Sequence, residues 1–156
     1  MDDDLQAIEQ WGAALLARMT RSERRAALLE IGRELRRSQQ ARIAGQQNPD
    51  GSAYAPRKAR AALNKGARDK AGRIKREAMF RKLRTARFLK VEVTDEGLAV
   101  GFSGRGAYVA RVHQEGRTER VARDGPEYTY PERKLLGFTK AEREMIRDRM
   151  VTHLVK

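Results

Sequence analysis

The sequence predicts an α+β fold: an antiparallel sheet built from hairpins, with N-terminal helices and a C-terminal helix packed on it. Three observations carry this. Apolar residues recur at three- and four-residue steps through the first 45 residues. The stretch FLKVEVTDEGLAVGFS alternates apolar and polar residues on both sides of a glycine turn. Helix-like and strand-like segments are grouped instead of alternating as βαβ units, which argues against a doubly wound sheet. With 156 residues, 40% of them hydrophobic, the chain suits one compact domain. It divides into a helical part over 1–45, a basic turn and linker over 46–73, and an α+β body over 74–156.

The elements follow in order. Leu5, Ile8, Gly12, Leu15 and Met19 place an amphipathic helix over residues 3–18, with Trp11 near its apolar border. Thr20 to Glu23 reads TRSE, a capping box, and Leu28, Ile31 and Leu35 mark the stripe of a long second helix ending near Gly45. Pro49, Asp50 and Gly51 then break regular structure, because proline fixes its own φ and glycine readily takes positive φ. Residues 57–73 combine high charge with scattered alanine and glycine, predicting a partly mobile segment with short helical pieces. Ile74, Ala78, Met79, Leu83 and Ala86 fit one face of a third helix leading into the sheet. Leu89, Val91 and Val93 pair with Leu98, Val100 and Phe102 across a turn that uses Gly97. A short helix stopped by Gly116 follows, then a second hairpin around Asp124 and Gly125 that projects from the body. Thr139 caps a last helix carrying Met145, Ile146, Arg149, Met150 and Leu154.

Charge is the strongest compositional signal. The chain carries a net +13, and residues 57–90 hold 14 Lys or Arg against only Asp69 and Glu77. Almost the whole excess therefore lies in one segment, and a localised field of that kind meets an acidic partner, nucleic acid or protein. Its aromatic residues are few, so phosphate contact fits better than base stacking. Cysteine is absent, which excludes disulfides and thiolate metal sites and is consistent with a reducing cytoplasm. No apolar run approaches a membrane span, and MDDDLQ lacks the basic and apolar regions of a signal peptide, so neither membrane insertion nor general secretion is expected.

Catalytic patterns are sparse. GFSGRG at 101–106 lacks the spacing of a dinucleotide fingerprint, and no phosphate-binding loop is present. His113 and His153 show no metal-ligand spacing, and no cofactor is implied. His113 with Glu115 forms a conceivable acid/base pair, but a lone histidine on a short amphipathic helix more often packs and hydrogen-bonds.

Three ordered segments, NPDGSAYAPRK at 48–58, GAYVARVHQEG at 106–116 and YPERKLLGFTKAEREMI at 130–146, resemble the phage virion morphogenesis or tail-completion family. The residues that match are Pro49, Asp50, Gly51, Tyr54 and Pro56; Tyr108, His113, Gln114 and Gly116; and Pro131, Arg133, Leu136 and Gly137. Relatives often carry Thr-Gly-Arg-Leu before the first hairpin, where this chain reads AMFRKLRTARFL. The resemblance implies a structural, non-enzymatic protein that caps the head-proximal end of the tail tube as a ring, a hexamer in several proteins of this role, and prepares head–tail joining. Implied partners are further copies of itself, tail tube and sheath proteins, head–tail connector proteins and DNA in passage. The implied location is the virion tail, with assembly in the host cytoplasm.

Within this reading, Pro49, Asp50, Gly51, Tyr54, Pro56, Tyr108, His113, Gln114, Tyr128, Tyr130 and Arg133 are candidate assembly contacts. Arg68, Lys70, Arg73, Lys75, Arg76, Arg81, Lys82 and Arg84 are candidate electrostatic contacts. The alternative is a basic nucleic-acid-binding module that holds phosphates through residues 57–90.

Overall fold

The computed structural model describes residues 2–57, 78–120 and 123–154. Among them stand helices α1 (Asp2–Leu16), α2 (Arg21–Ala44), α3 (Arg105–Glu115) and α4 (Lys140–Leu154), and strands β1 (Leu89–Val93), β2 (Leu98–Phe102), β3 (Thr118–Arg120) and β4 (Glu127–Thr129). The α+β class holds. The two hairpins remain separate two-stranded antiparallel sheets, β1 with β2 and β3 with β4.

α2 is the organising element. Its start is a capping box: the Thr20 hydroxyl accepts from the Glu23 amide, and the Glu23 carboxylate accepts from the Thr20 amide at 2.9 Å. These bonds hold the Glu23 carboxyl below its ordinary range. One face of α2 buries Ala27, Leu28, Ile31, Gly32 and Leu35. Against it pack both strands of the first hairpin and also α4, while α1 packs on α4. Arg149 of α4 clamps Glu34 with two hydrogen bonds, and His153 meets Glu30 at 2.9 Å.

The first hairpin has the predicted alternation and register, with Leu89 opposite Phe102, Val91 opposite Val100 and Val93 opposite Leu98. Gly32 explains how closely it sits on α2. A Cβ there would lie 2.5 Å from Val91 Cγ1 and 2.6 Å from Leu98 Cδ1, so the missing side chain is the space the sheet occupies.

The third predicted helix needs correction. Residues 74–77 lie outside the described residues, as does 58–73 of the linker, and 78–88 form a succession of turns. Phe80 has φ 65°, a left-handed conformation that interrupts a helical ladder, and the Met79 amide donates to Gln46 Oε1. The apolar spacing was nonetheless informative, because Met79 and Leu83 are buried in a cluster with Ile43, Tyr54, Ala110 and Leu135. α3 ends as predicted, with Gly116 in the left-handed region at φ 62°. Thr139 and Glu142 form a second capping box at α4, each accepting from the other's amide.

Candidate functional site

The three family-like segments, far apart in sequence, meet in one place. Arg133 is the knot. Its Nε donates to the Ala55 carbonyl at 2.7 Å, one terminal nitrogen donates to the Pro56 carbonyl at 2.9 Å, and the other reaches His113 Nδ1 at 3.1 Å. The backbone adds a further stitch, from the Arg133 amide to the His113 carbonyl. One buried side chain thus joins the turn segment, α3 and the segment that precedes α4.

His113 stands in a chain of edge-to-face rings. Its ring centroid is 4.9 Å from Phe80 and 5.0 Å from Tyr130; Tyr54 touches Phe80 on one side and Tyr128 touches Tyr130 on the other. Burial, reinforced by the positive charges of Arg133 and Arg57, pushes its pKa down to about 4. The imidazole is therefore neutral at neutral pH. Because a guanidinium can only donate, Nδ1 is the acceptor and the proton resides on Nε2. The sequence-level pairing with Glu115 is not formed: Glu115 holds Arg117.

Two further clamps close the junction. Gln114 pairs with the backbone of Leu136 in both directions, donating at 3.1 Å and accepting at 2.9 Å. Asn48 accepts from the Lys134 amide, while Asp50 folds the turn by accepting from both the amide and hydroxyl of Ser52. The Ser52 bonds hold the Asp50 carboxyl below its ordinary range. Pro49 rests on Gly137, where a Cβ would come within 2.8 Å of the proline ring.

Sequence reasoning missed two members. Arg42, on α2, donates to the carbonyls of Gln47, Lys134, Leu135 and Gly137 at 3.1–3.4 Å. Gln46 binds Met79 through both ends of its amide. The signal was available: the buried stripe Ile31, Leu35 continues at helical spacing into Gln39, Arg42 and Ile43, so polar residues occupy core positions.

The predicted contacts divide by exposure. Tyr54 and Arg133 are buried, and Pro49, His113, Gln114, Tyr128 and Tyr130 are half-buried. Asp50, Gly51, Pro56 and Tyr108 are exposed, Tyr108 most of all at 57%. Burial raises the Tyr54 pKa, and a hydrogen bond to Glu119 raises that of Tyr108. Of the electrostatic candidates, Arg81 and Lys82 are exposed and Arg84 half-buried, whereas Arg68, Lys70, Arg73, Lys75 and Arg76 lie outside the described residues. Among the described residues no cluster of three metal-ligating side chains occurs, and no helix is long and apolar enough to cross a membrane. The arrangement is one of stitched backbone and stacked rings, which positions segments instead of presenting a reactive group.

Comparison with known proteins gives a consistent result. The phage virion morphogenesis family matches residues 3–155. Tail completion protein S of Escherichia phage P2 is 40% identical over 141 residues, covering 90% of this chain and 90% of that protein. No solved structure matches.

Proposed function

This chain belongs to the phage virion morphogenesis family, and from that premise we propose that it is a structural tail-completion protein, acting by assembly and not by catalysis. The observation that carries the reading is the near full-length likeness to a protein named for tail completion. The junction supports it, because residues of all three family-like segments are used to fix the relative positions of a turn, a helix and a C-terminal segment.

In the finer form of this proposal, the protein closes into a ring, with six copies as the expected number, on the head-proximal end of the tail tube and prepares the joint to the head. Ring protomers use heterologous contacts, one face meeting a different face of the neighbour. The exposed ends of the junction, Asp50, Gly51, Pro56 and Tyr108, and the second hairpin with Tyr128 and Tyr130, are the arms offered to neighbours, tube, sheath and connector proteins. Lys82, Arg84 and the rest of the basic tract face an acidic neighbour or the DNA in passage.

The test is a phage or prophage with this gene inactivated, its particles imaged by electron microscopy. Tails of irregular length that fail to join heads are expected, restored by the wild-type chain in trans. Normal tails on joined heads refute the proposal. A gel shift with generic duplex at two ionic strengths separates it from the phosphate-binding alternative, which requires tight, salt-sensitive binding to free nucleic acid.

A further inference from the structure

One surface of the body gathers cations from two acid-free stretches. Between Ala78 and Val91, and again between Gly97 and Gln114, the chain has no aspartate or glutamate. The fold lays these stretches side by side. The Ser103 amide donates to the Phe88 carbonyl at 2.9 Å, and Leu89 pairs with Phe102. The first turn of α3 rests on Leu83 and Phe88, so closely that a Cβ on Gly106 would lie 2.7 Å from the Phe88 ring. Lys82, Arg84, Arg87, Lys90 and Arg105 stand around this seam, all exposed except the half-buried Arg84. The Arg87 guanidinium is held 5.3 Å from the centre of the Phe88 ring, and Lys90 lies opposite Gly101, which has no side chain to cover it. Among the described residues none of the five cations meets a carboxylate, whereas Arg120, Lys140, Arg147 and Arg149 each do. Glu92, two residues beyond Lys90 on the outward face of β1, is the acid at the edge of the surface.

From this seam we infer that the surface binds the phosphate backbone of duplex DNA without reading its sequence. Uncancelled positive charge calls for a polyanion, and three of the five cations are guanidiniums, whose planar fork suits phosphate oxygens. The lack of an anchor argues against an acidic protein. The exposed residues between the cations, Thr85, Ala86 and Gly104, are small, and Val109, one turn on from Arg105, is of a type that seldom anchors a protein interface. The lack of a free ring argues against a single strand. Phe80, Phe88 and Phe102 are packed against the core, and Tyr108 lies about 200° round α3 from Gly106, so no ring on this surface is left for a base to stack on. The inference names the partner of the basic surface in the proposed function, and rests on that reading for where the duplex is met. DNA in passage runs along the surface, and copies in a ring multiply a contact that is weak in one. For one chain a Kd on the order of 10⁻⁴–10⁻⁶ M at physiological salt is expected, the range of sequence-independent contact.

The experiment uses the full-length chain and a fluorescent duplex of mixed sequence, with anisotropy read between roughly 50 and 200 mM salt. Lys82→Gln, Arg87→Gln and Arg105→Gln together should weaken binding about tenfold or more at the low end and reduce the salt slope by about 3. Lys82→Arg, Arg87→Lys and Arg105→Lys keep the charge and should keep the slope, which separates a lost contact from a lost fold. Arg25→Gln, Arg33→Gln and Arg37→Gln remove as much charge from exposed positions on α2, whose buried face carries the first hairpin, and should change the slope little. If the first triple variant binds as wild type does, or the α2 triple variant loses as much, the surface is wrong. It is wrong too if wild type ignores the duplex and binds polyglutamate through the same three residues, for then the partner is an acidic protein. Each of these outcomes leaves the tail-completion reading standing, because that reading is judged on particles. Normal tails on joined heads from the inactivated phage refute the function while the binding measured on the free chain stands. A Kd below about 10⁻⁸ M, lost in the first triple variant, upholds the surface and turns the function to the nucleic-acid module.

Discussion

The neutral, half-buried His113 makes stability depend on acid in a defined window. Its pKa is about 4 in the folded chain and near 6.5 when unfolded. The folded value is the lower one, so on acidification the unfolded state takes up protons first. The contribution is complete above pH 6.5, is lost progressively below it, and is exhausted near pH 4. Fully realised, a difference of that size is worth about 3 kcal/mol, and about 2 kcal/mol of it is gone by pH 5. Solvent screening of a half-exposed ring reduces the expected loss between pH 7.5 and 5 to about 1–2 kcal/mol. Glu23 and Asp50, whose carboxyl values are lowered, lose their contributions only below 4.5 and 3.8 and leave this interval clear. The control is His113→Asn, whose amide oxygen can accept from Arg133 in place of Nδ1 and does not titrate. Urea unfolding followed by circular dichroism, run on both chains at pH 7.5 and 5, gives the comparison. The wild type should lose about 1–2 kcal/mol more than the variant over that interval. Equal losses, or an NMR titration that places His113 at 6 or above, would refute the neutral imidazole and the tautomer assigned to it.

Three more outcomes follow from the packing. Arg42→Met leaves the carbonyls of Gln47, Lys134, Leu135 and Gly137 without their donor and should cost about 3–4 kcal/mol by thermal unfolding; a loss under 1 kcal/mol would mean that other donors replace it. Gly116→Ala forces a Cβ into the left-handed region and to 3.2 Å from the Tyr130 carbonyl, for about 1–2 kcal/mol, read as a lowered melting temperature. Gly32→Ala gains about 1 kcal/mol in helix propensity but drives a methyl into Val91 and Leu98; overpacking of about 1–3 kcal/mol wins, and a second change, Val91→Ala, should recover part of it, which denaturant midpoints would show.

What could be read from the sequence follows from how local each signal is. The two long N-terminal helices, the capping box at Thr20, the cap at Thr139 and the hairpin of Leu89 to Phe102 depend on spacing within one segment, and all stand where the pattern puts them. The segment 78–88 was misread because helical spacing of Met79 and Leu83 is also satisfied by turns that point both side chains at one core. The decision there is made at long range, by Gln46 taking the Met79 amide and by rings on both sides of Phe80. Arg42 escaped notice for a related reason. An arginine on a charged helix reads as solvated surface unless the carbonyls it serves, more than 90 residues away for three of them, are known. In the site, burial was not legible: Arg133 and Tyr54, read from the sequence as candidate assembly contacts, are buried in the junction.

Their burial bears on how such a pattern should be used. A family signature spread over three separated segments can mark a shared partner or a shared internal knot, and burial distinguishes the two. Here the segments are joined to one another through Arg133, Gln114 and Asn48, so residues of all three have a role in folding before any partner is invoked. Selectivity for a neighbour must then rest on side chains the junction leaves outside. Among the described residues Trp11, Tyr108 and Phe138 are the exposed aromatic side chains, on α1, on α3 and just before α4, and the ring chain that runs through the junction uses none of them. Substituting Tyr108 or Trp11 should therefore spare the melting temperature and alter assembly, whereas substituting Arg133 should do the reverse in order of cause, lowering stability first and assembly only as a consequence. Comparing melting temperature with oligomer mass across these three positions separates the two roles, and an Arg133→Lys chain of full stability that fails to assemble would show that the knot is itself a contact.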